Sequence, residues 1–105
     1  MAERDFKTRF FRKLNRRLPG GLLIRTDPST QQGITDHLFL YGPRWAALEF
    51  KDSRSSKKQP NQEYFVKRLS EMGFGAFVYP ENEKEVLDAL EQALKPPRRT
   101  RISES

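Results

Sequence analysis

Asp36, Glu49, Lys51 and Gln62 are the residues whose types and spacing could do chemistry. Glu49 and Lys51 lie two apart at the end of the apolar run WAALEF. Alternate side chains of a strand share a face, so both would project the same way. Asp36 precedes a second apolar run, HLFLY, with twelve residues between it and Glu49. Tyr41-Gly42-Pro43 between the runs reads as a turn, so a hairpin would bring Asp36 back to the Glu49-Lys51 end. The result is two carboxylates and one ammonium where purely apolar strands are interrupted. Hard cations such as Mg²⁺ take oxygen ligands, and one or two carboxylates with waters and a substrate phosphate suffice. A lysine beside such a cation can orient a water and stabilise charge on a phosphoryl group.

Asp36 followed by Glu49-Phe50-Lys51 resembles the PD-(D/E)xK nuclease signature. Glu-x-Lys alone is common in charged proteins. Gln62, opening a predicted helix, makes the chain similar to the virus-type replication-repair nuclease branch, VRR-NUC, of the stand-alone phage or bacterial type. The resemblance spans residues 3 to 79 and departs at Thr35, where that family carries a proline that ligates nothing. It implies an α/β (α+β) restriction-endonuclease-like core and a metal-dependent endonuclease acting on DNA, with in-line attack releasing a 5′-phosphate. Mg²⁺, with Mn²⁺ substituting, would be held by Asp36, Glu49, the Phe50 backbone carbonyl and Glu3, directly or through water. Lys51 would orient the attacking water and Gln62 would steady Lys51 or that water. The resemblance also implies a homodimer acting on branched or junction DNA in repair or recombination.

The elements that must position these residues follow in order. Residues 3 to 18 read as an amphipathic helix, with Phe6, Phe10, Leu14 and Leu18 at four-residue steps, stopped by Pro19-Gly20-Gly21. Glu3 falls on the same stripe, one turn beyond its apolar part; an acid at a helix N-terminus is also favourable in its own right. Leu22 to Arg25 make a first strand, and the polar loop to Gly33 reads as mobile. After the hairpin, DSRSSKKQP forms a basic loop without an apolar anchor. A second helix runs from Pro60 or Asn61 to Met72, with Phe65, Val66, Leu69 and Met72 as its apolar face. Gln62 shares that face, and a core-facing amide needs a polar partner: a backbone group, the lysine, or a water. Ala76 to Tyr79 form a short strand, and Glu83 to Leu94 a third helix. The order is α-β-β-β-α-β-α, predicting a mixed four-stranded sheet flanked by helices, its last strand added in parallel through the second helix. One domain over 1-95 is expected, with 96-105 a flexible basic tail.

Composition narrows the rest. In 105 residues there is no cysteine, hence no disulfide framework and no thiolate zinc site. No stretch approaches the roughly 20 apolar residues of a membrane span, and no apolar leader core opens the chain, so a cytoplasmic protein is expected. The net charge of +6 is unevenly spread. Arg9, Arg12, Lys13, Arg16 and Arg17 crowd the first helix, and Arg54, Lys57 and Lys58 the 52-60 loop, whereas residues 81 to 91 are acidic. These eight basic residues are the candidate nucleic-acid contacts, on a basic side opposite an acidic one. Recognition of backbone and shape is expected, with strong salt dependence. His37 neighbours Asp36 in the strand and so should face away from it; Trp45 shares the Glu49 face but lies near the turn, and packing suits it better than base stacking. Two other classes stay open. One is a catalytically silent nuclease-fold module that binds nucleic acid or protein; the other is a small phage or host interaction protein driven by charge asymmetry.

Overall fold

The computed structural model describes residues 3-27 and 34-95. Its elements are α1 (Glu3–Arg17), β1 (Leu22–Arg25), β2 (His37–Tyr41), β3 (Arg44–Phe50), α2 (Pro60–Met72), β4 (Gly75–Val78) and α3 (Glu83–Leu94), with a 3-10 turn at Pro80–Asn82. The four strands form one sheet in the order β1-β2-β3-β4. β1, β2 and β3 make an antiparallel meander, and β4 runs parallel to β3. That is the predicted mixed sheet. The loop residues 28-33 and the tail 96-105 lie outside the described residues.

The hairpin turn is set by Gly42, whose φ of +59° is open to glycine at little cost. It occupies the first central position of a two-residue connection in which Tyr41 pairs with Arg44. This fixes the register, placing Leu38 opposite Ala47 and His37 opposite Leu48.

The core lies on one face of the sheet. Phe6, Phe10, Leu14 and Leu18 of the α1 stripe are fully buried against Phe39, Leu48, Phe50 and Val78, and α3 adds Val86, Leu87, Leu90 and Leu94. The Phe6, Phe10 and Phe11 rings meet Phe50 edge-on at 5.1 to 6.1 Å between centroids. α1 and α3 therefore share a layer, and this changes the expected charge map. Arg9 and Lys13 pair with Glu83 at 3.1 and 3.2 Å, and Arg17 with Asp88 at 2.6 Å. The basic and acidic helices lie side by side rather than on opposite sides of the molecule, because the apolar stripes of both need the same sheet face.

α2 crosses the other face, over β3 and β4. Its approach is close: a Cβ on Gly75 would meet the Val66 carbonyl at 2.7 Å. The helix is less buried than its stripe suggests. No α2 residue is fully buried, and Met72, expected inward, is 65% exposed. One helix cannot cover a four-stranded face, so the β1-β2 half carries exposed Leu22 and Ile24 in register with Leu40 and Leu38.

Candidate active site

Glu49 is the second-last residue of β3, and the alternation that buries Leu48 and Phe50 under α1 sends Glu49 to the α2 layer. The residue is only 2% exposed. A carboxylate so desolvated needs partners. Glu49 Oε1 accepts from the Asp36 backbone N–H at 3.2 Å, and Oε2 accepts from Gln62 Nε2 at 3.0 Å. Burial, and then the nearby Asp36 carboxylate, push its pKa up to about 7; Lys51 acts in the opposite direction.

Asp36 is positioned through its backbone. Its carbonyl accepts from the Thr26 N–H at 2.8 Å, while the Thr26 hydroxyl donates to the carbonyl of buried Thr35. The end of β1 thus clamps the approach to β2 and holds Asp36 beside Glu49. Thr35 is itself fully buried and contributes to the clamp through its carbonyl.

Lys51 follows β3, its N–H donating to the Val78 carbonyl at 2.9 Å. Its Nζ donates to Gln62 Oε1 at 2.9 Å. The same oxygen accepts from the Gln59 backbone N–H at 3.0 Å, closing the first turn of α2. The alternatives open for Gln62 in the sequence are thus combined: one amide caps the helix and bridges Lys51 to Glu49. Proline at the helix start leaves Gln62 at the third helical position, where such a side chain reaches back to the residue before the helix.

The structure therefore gathers Asp36, Glu49, Lys51 and Gln62 at one end of the sheet, under the start of α2. The Phe50 side chain enters the opposite layer, so only its backbone could face the site. Glu3 opens α1, and its side chain lies outside the described residues. Among the described residues no group of three His, Cys, Asp or Glu side chains could form an all-protein metal cage. Two adjacent carboxylates, one with its pKa raised by burial and then by the other's charge, nevertheless suit a hard cation that keeps several waters.

His37 points away, as alternation requires. It is buried against the Phe11 and Phe50 rings, 5.5 Å from each, and desolvation followed by the Lys7 charge lowers its pKa. Trp45 packs over Gly73, where a Cβ would sit 2.5 Å from its ring.

The basic candidates divide. Arg9, Lys13 and Arg17 are committed to α3 carboxylates in the layer away from the site. Arg12 and Arg16 are exposed on α1, and Lys57 is exposed in the loop. Arg54 and Lys58 are held over rings, which gives the loop the apolar anchor its own sequence lacks. The Arg54 guanidinium lies 5.4 Å from the Tyr79 centroid, and Lys58 Nζ lies 5.1 Å from Phe77 and 5.6 Å from Tyr79. Phe77 and Tyr79 carry no functional signal of their own in the apolar run AFVY. Their two-residue spacing was the signal that both share a face.

The fold is a mixed four-stranded sheet with an acid pair, a lysine and a bridging glutamine at the end of its central hairpin. A solved structure described as a VRR_NUC domain protein is similar over 90% of this chain and 89% of that one, with a TM-score of 0.64 at 16% sequence identity. The chain has a VRR-NUC-like nuclease fold. No protein-family profile and no curated protein matches it.

Proposed function

We propose that this chain is a metal-dependent endonuclease that hydrolyses DNA phosphodiester bonds, selecting branched or junction structure rather than sequence. The observation that carries the reading is the Gln62 amide, which joins Lys51 to Glu49 beside Asp36. A purely structural glutamine would need only the Gln59 cap.

Asp36, Glu49 and the Phe50 carbonyl are the groups that would hold Mg²⁺ or Mn²⁺, with Glu3 as a further oxygen. When bound, such a cation lowers the pKa of water and offsets charge on the phosphate. The chain supplies the remainder. Gln62 accepts from Lys51, which holds the ammonium and leaves its two other N–H bonds for a water or phosphoryl oxygen. The Asp36 N–H and the Gln62 amide fix the two Glu49 oxygens, so the carboxylate is oriented before substrate arrives. The expected product is a 5′-phosphate. Exposed Leu22 and Ile24 support a second copy of the chain as partner, which would pair two sites across a junction.

The test is cleavage of labelled linear, flap and four-way-junction DNA with Mg²⁺, Mn²⁺ or EDTA. Cutting should require the metal and favour the branched substrates. Asp36→Asn and Glu49→Gln should lose it at least about a hundredfold, about 2.7 kcal/mol of barrier. Metal-independent cutting, or a Glu49→Gln protein that cuts at the wild-type rate, would refute the assignment. Binding without cutting would instead favour the silent nucleic-acid-binding module.

A further inference from the structure

We infer that Arg54 and Lys58, seated on the rings of Phe77 and Tyr79, form a preorganised clamp for a backbone phosphate flanking the scissile bond. That the flanked bond is scissile rests on the nuclease reading; phosphate binding by the clamp does not. Its position comes from strand register. Glu49 pairs with Phe77 across the parallel β3-β4 ladder, and registered residues share a face. Adjacent strands lie roughly 4.8 Å apart. Phe77 is therefore one strand over from the Glu49 carboxylate on the α2 side. Tyr79, two residues on, continues the same row past the end of β4.

Charge gives the second argument. Arg9, Lys13 and Arg17 are offset by Glu83, Asp88 and Glu91 on α3, so an incoming phosphate would have to displace a carboxylate. Among the described residues, neither Arg54 nor Lys58 has its side chain paired with a carboxylate. A ring face orients a cation without neutralising it. Here two cations share Tyr79, and one spans Tyr79 and Phe77. Two long side chains are thereby ordered in advance with donors still available.

The loop backbone holds the arrangement. The Arg54 N–H donates to Glu81 Oε1 at 3.0 Å, and the Ser53 N–H donates to Ser56 Oγ at 3.1 Å. Glu81 follows Tyr79 by two residues, so the contact that fixes the loop also fixes it relative to the ring. The loop backbone is thus tied to the strand end without an ion pair to Arg54 or Lys58. Those charges are left for a ligand, and beside an acid-lysine site the ligand that matches is a phosphodiester.

The experiment measures binding of a fluorescein-labelled four-way junction and a labelled duplex by anisotropy in EDTA, over a salt series. Lys58→Gln and Arg54→Gln should each weaken binding about three- to tenfold. Each should flatten the salt slope by roughly 0.7 to 0.9 for a lost phosphate contact. Lys84→Gln, which removes the same charge from the exposed surface of α3, should change affinity less than about twofold if simple net charge is not the cause. Tyr79→Leu keeps both cations and removes the ring that orients them; it should weaken binding with its melting temperature retained, and Tyr79→Phe should restore it. Once both cations are removed, in Arg54→Gln/Lys58→Gln, adding Tyr79→Leu should change binding little, because the ring then has no cation left to orient. Wild-type affinity and slope in both charge variants would overturn the clamp. Wild-type affinity in folded Tyr79→Leu would overturn the role of the rings, and if that variant fails to fold, the charge variants and Tyr79→Phe still decide. If the protein never cuts yet the variants lose binding, the clamp stands and the nuclease reading falls. If it cuts and the variants bind normally, the reverse holds.

Discussion

Glu49 is a carboxyl group whose solvation shell has been exchanged for an amide, a backbone N–H and another acid's charge. This has a consequence for stability that needs no substrate. Its pKa rises from an ordinary 4.5 to about 7 on folding. The native state therefore holds the proton more tightly than the unfolded chain. The stabilisation is fully present below about pH 4.5 and is lost as pH rises through about 7. In EDTA, denaturant unfolding of the wild type should show that decline, and Glu49→Gln should lack it. His37 works the other way: its lowered pKa gives stability present above 6.5 and lost as pH falls below it, in both proteins alike. Mg²⁺ should shift the wild-type melting temperature upward most at the alkaline end, where ligands are already deprotonated. Parallel curves for wild type and Glu49→Gln would show that Glu49 is not the group responsible. At Gln62, leucine keeps much of the shape and removes the amide. Loss of the cap should cost about 1 kcal/mol. Loss of the bridge should slow single-turnover cleavage at least about tenfold, roughly 1.4 kcal/mol. Melting and cleavage on one preparation separate the two, and normal turnover would leave the glutamine a cap only.

At the scale of elements, the site depends on how closely α2 approaches β4. Gly75 permits this: an added Cβ would meet the Val66 carbonyl at 2.7 Å and the Ser70 nitrogen at 2.8 Å, both backbone atoms of α2. Gly75→Ala should push the helix away, at a cost of about 1–3 kcal/mol for overpacking. Because Gln62 is on the same helix, cleavage should fall further than the lost stability explains. Crystallography or amide exchange of the α2 start would show the displacement. Unchanged cleavage and exchange would mean the helix adapts elsewhere. α1 is the opposite case, a helix anchored by its apolar face. Phe10 is fully buried, and Phe10→Ala should cost about 3–5 kcal/mol, a large part of the roughly 5–15 available to a domain. By comparison Arg17→Ala, which breaks a partly exposed pair with Asp88, should cost at most about 1 kcal/mol.

At the scale of the whole molecule, charges and apolar surface are distributed by layer. The α1-α3 layer neutralises much of its own charge, while the α2 layer keeps Lys51, Arg54 and Lys58 near the carboxylates. DNA is thus expected along the α2 side. The same side leaves Leu22, at 59% exposure, and Ile24 uncovered on the β1-β2 half of the sheet. A second copy meeting there would bury them and place two sites in one particle. Sedimentation should give a dimer for the wild type and a monomer for Leu22→Asp with intact circular dichroism. A wild-type monomer at all concentrations would remove that partner and with it the paired-site account of junction cleavage.

The amino-acid pattern by itself determined the elements and the primary constellation. Four-residue apolar steps specify α1, and two-residue alternation puts Glu49 and Lys51 on one face, because these periods are properties of the backbone. Gly42 sets the hairpin register locally, and with it the return of Asp36. The sequence also carried the orientation of Gln62, through its helical phase relative to Val66 and Leu69. It could not say that one amide would serve Gln59, Lys51 and Glu49 together, since those groups meet only when α2 packs on β3. Nor could it give the charge map. Basic α1 and acidic α3 looked like opposite sides because local sequence is blind to which helices share a sheet face. Burial of both apolar stripes in one core decided that. The rings beneath Arg54 and Lys58 are not legible locally for the same reason: Phe77 and Tyr79 are about twenty residues from the loop in sequence, and the parallel β3-β4 register brings them under it.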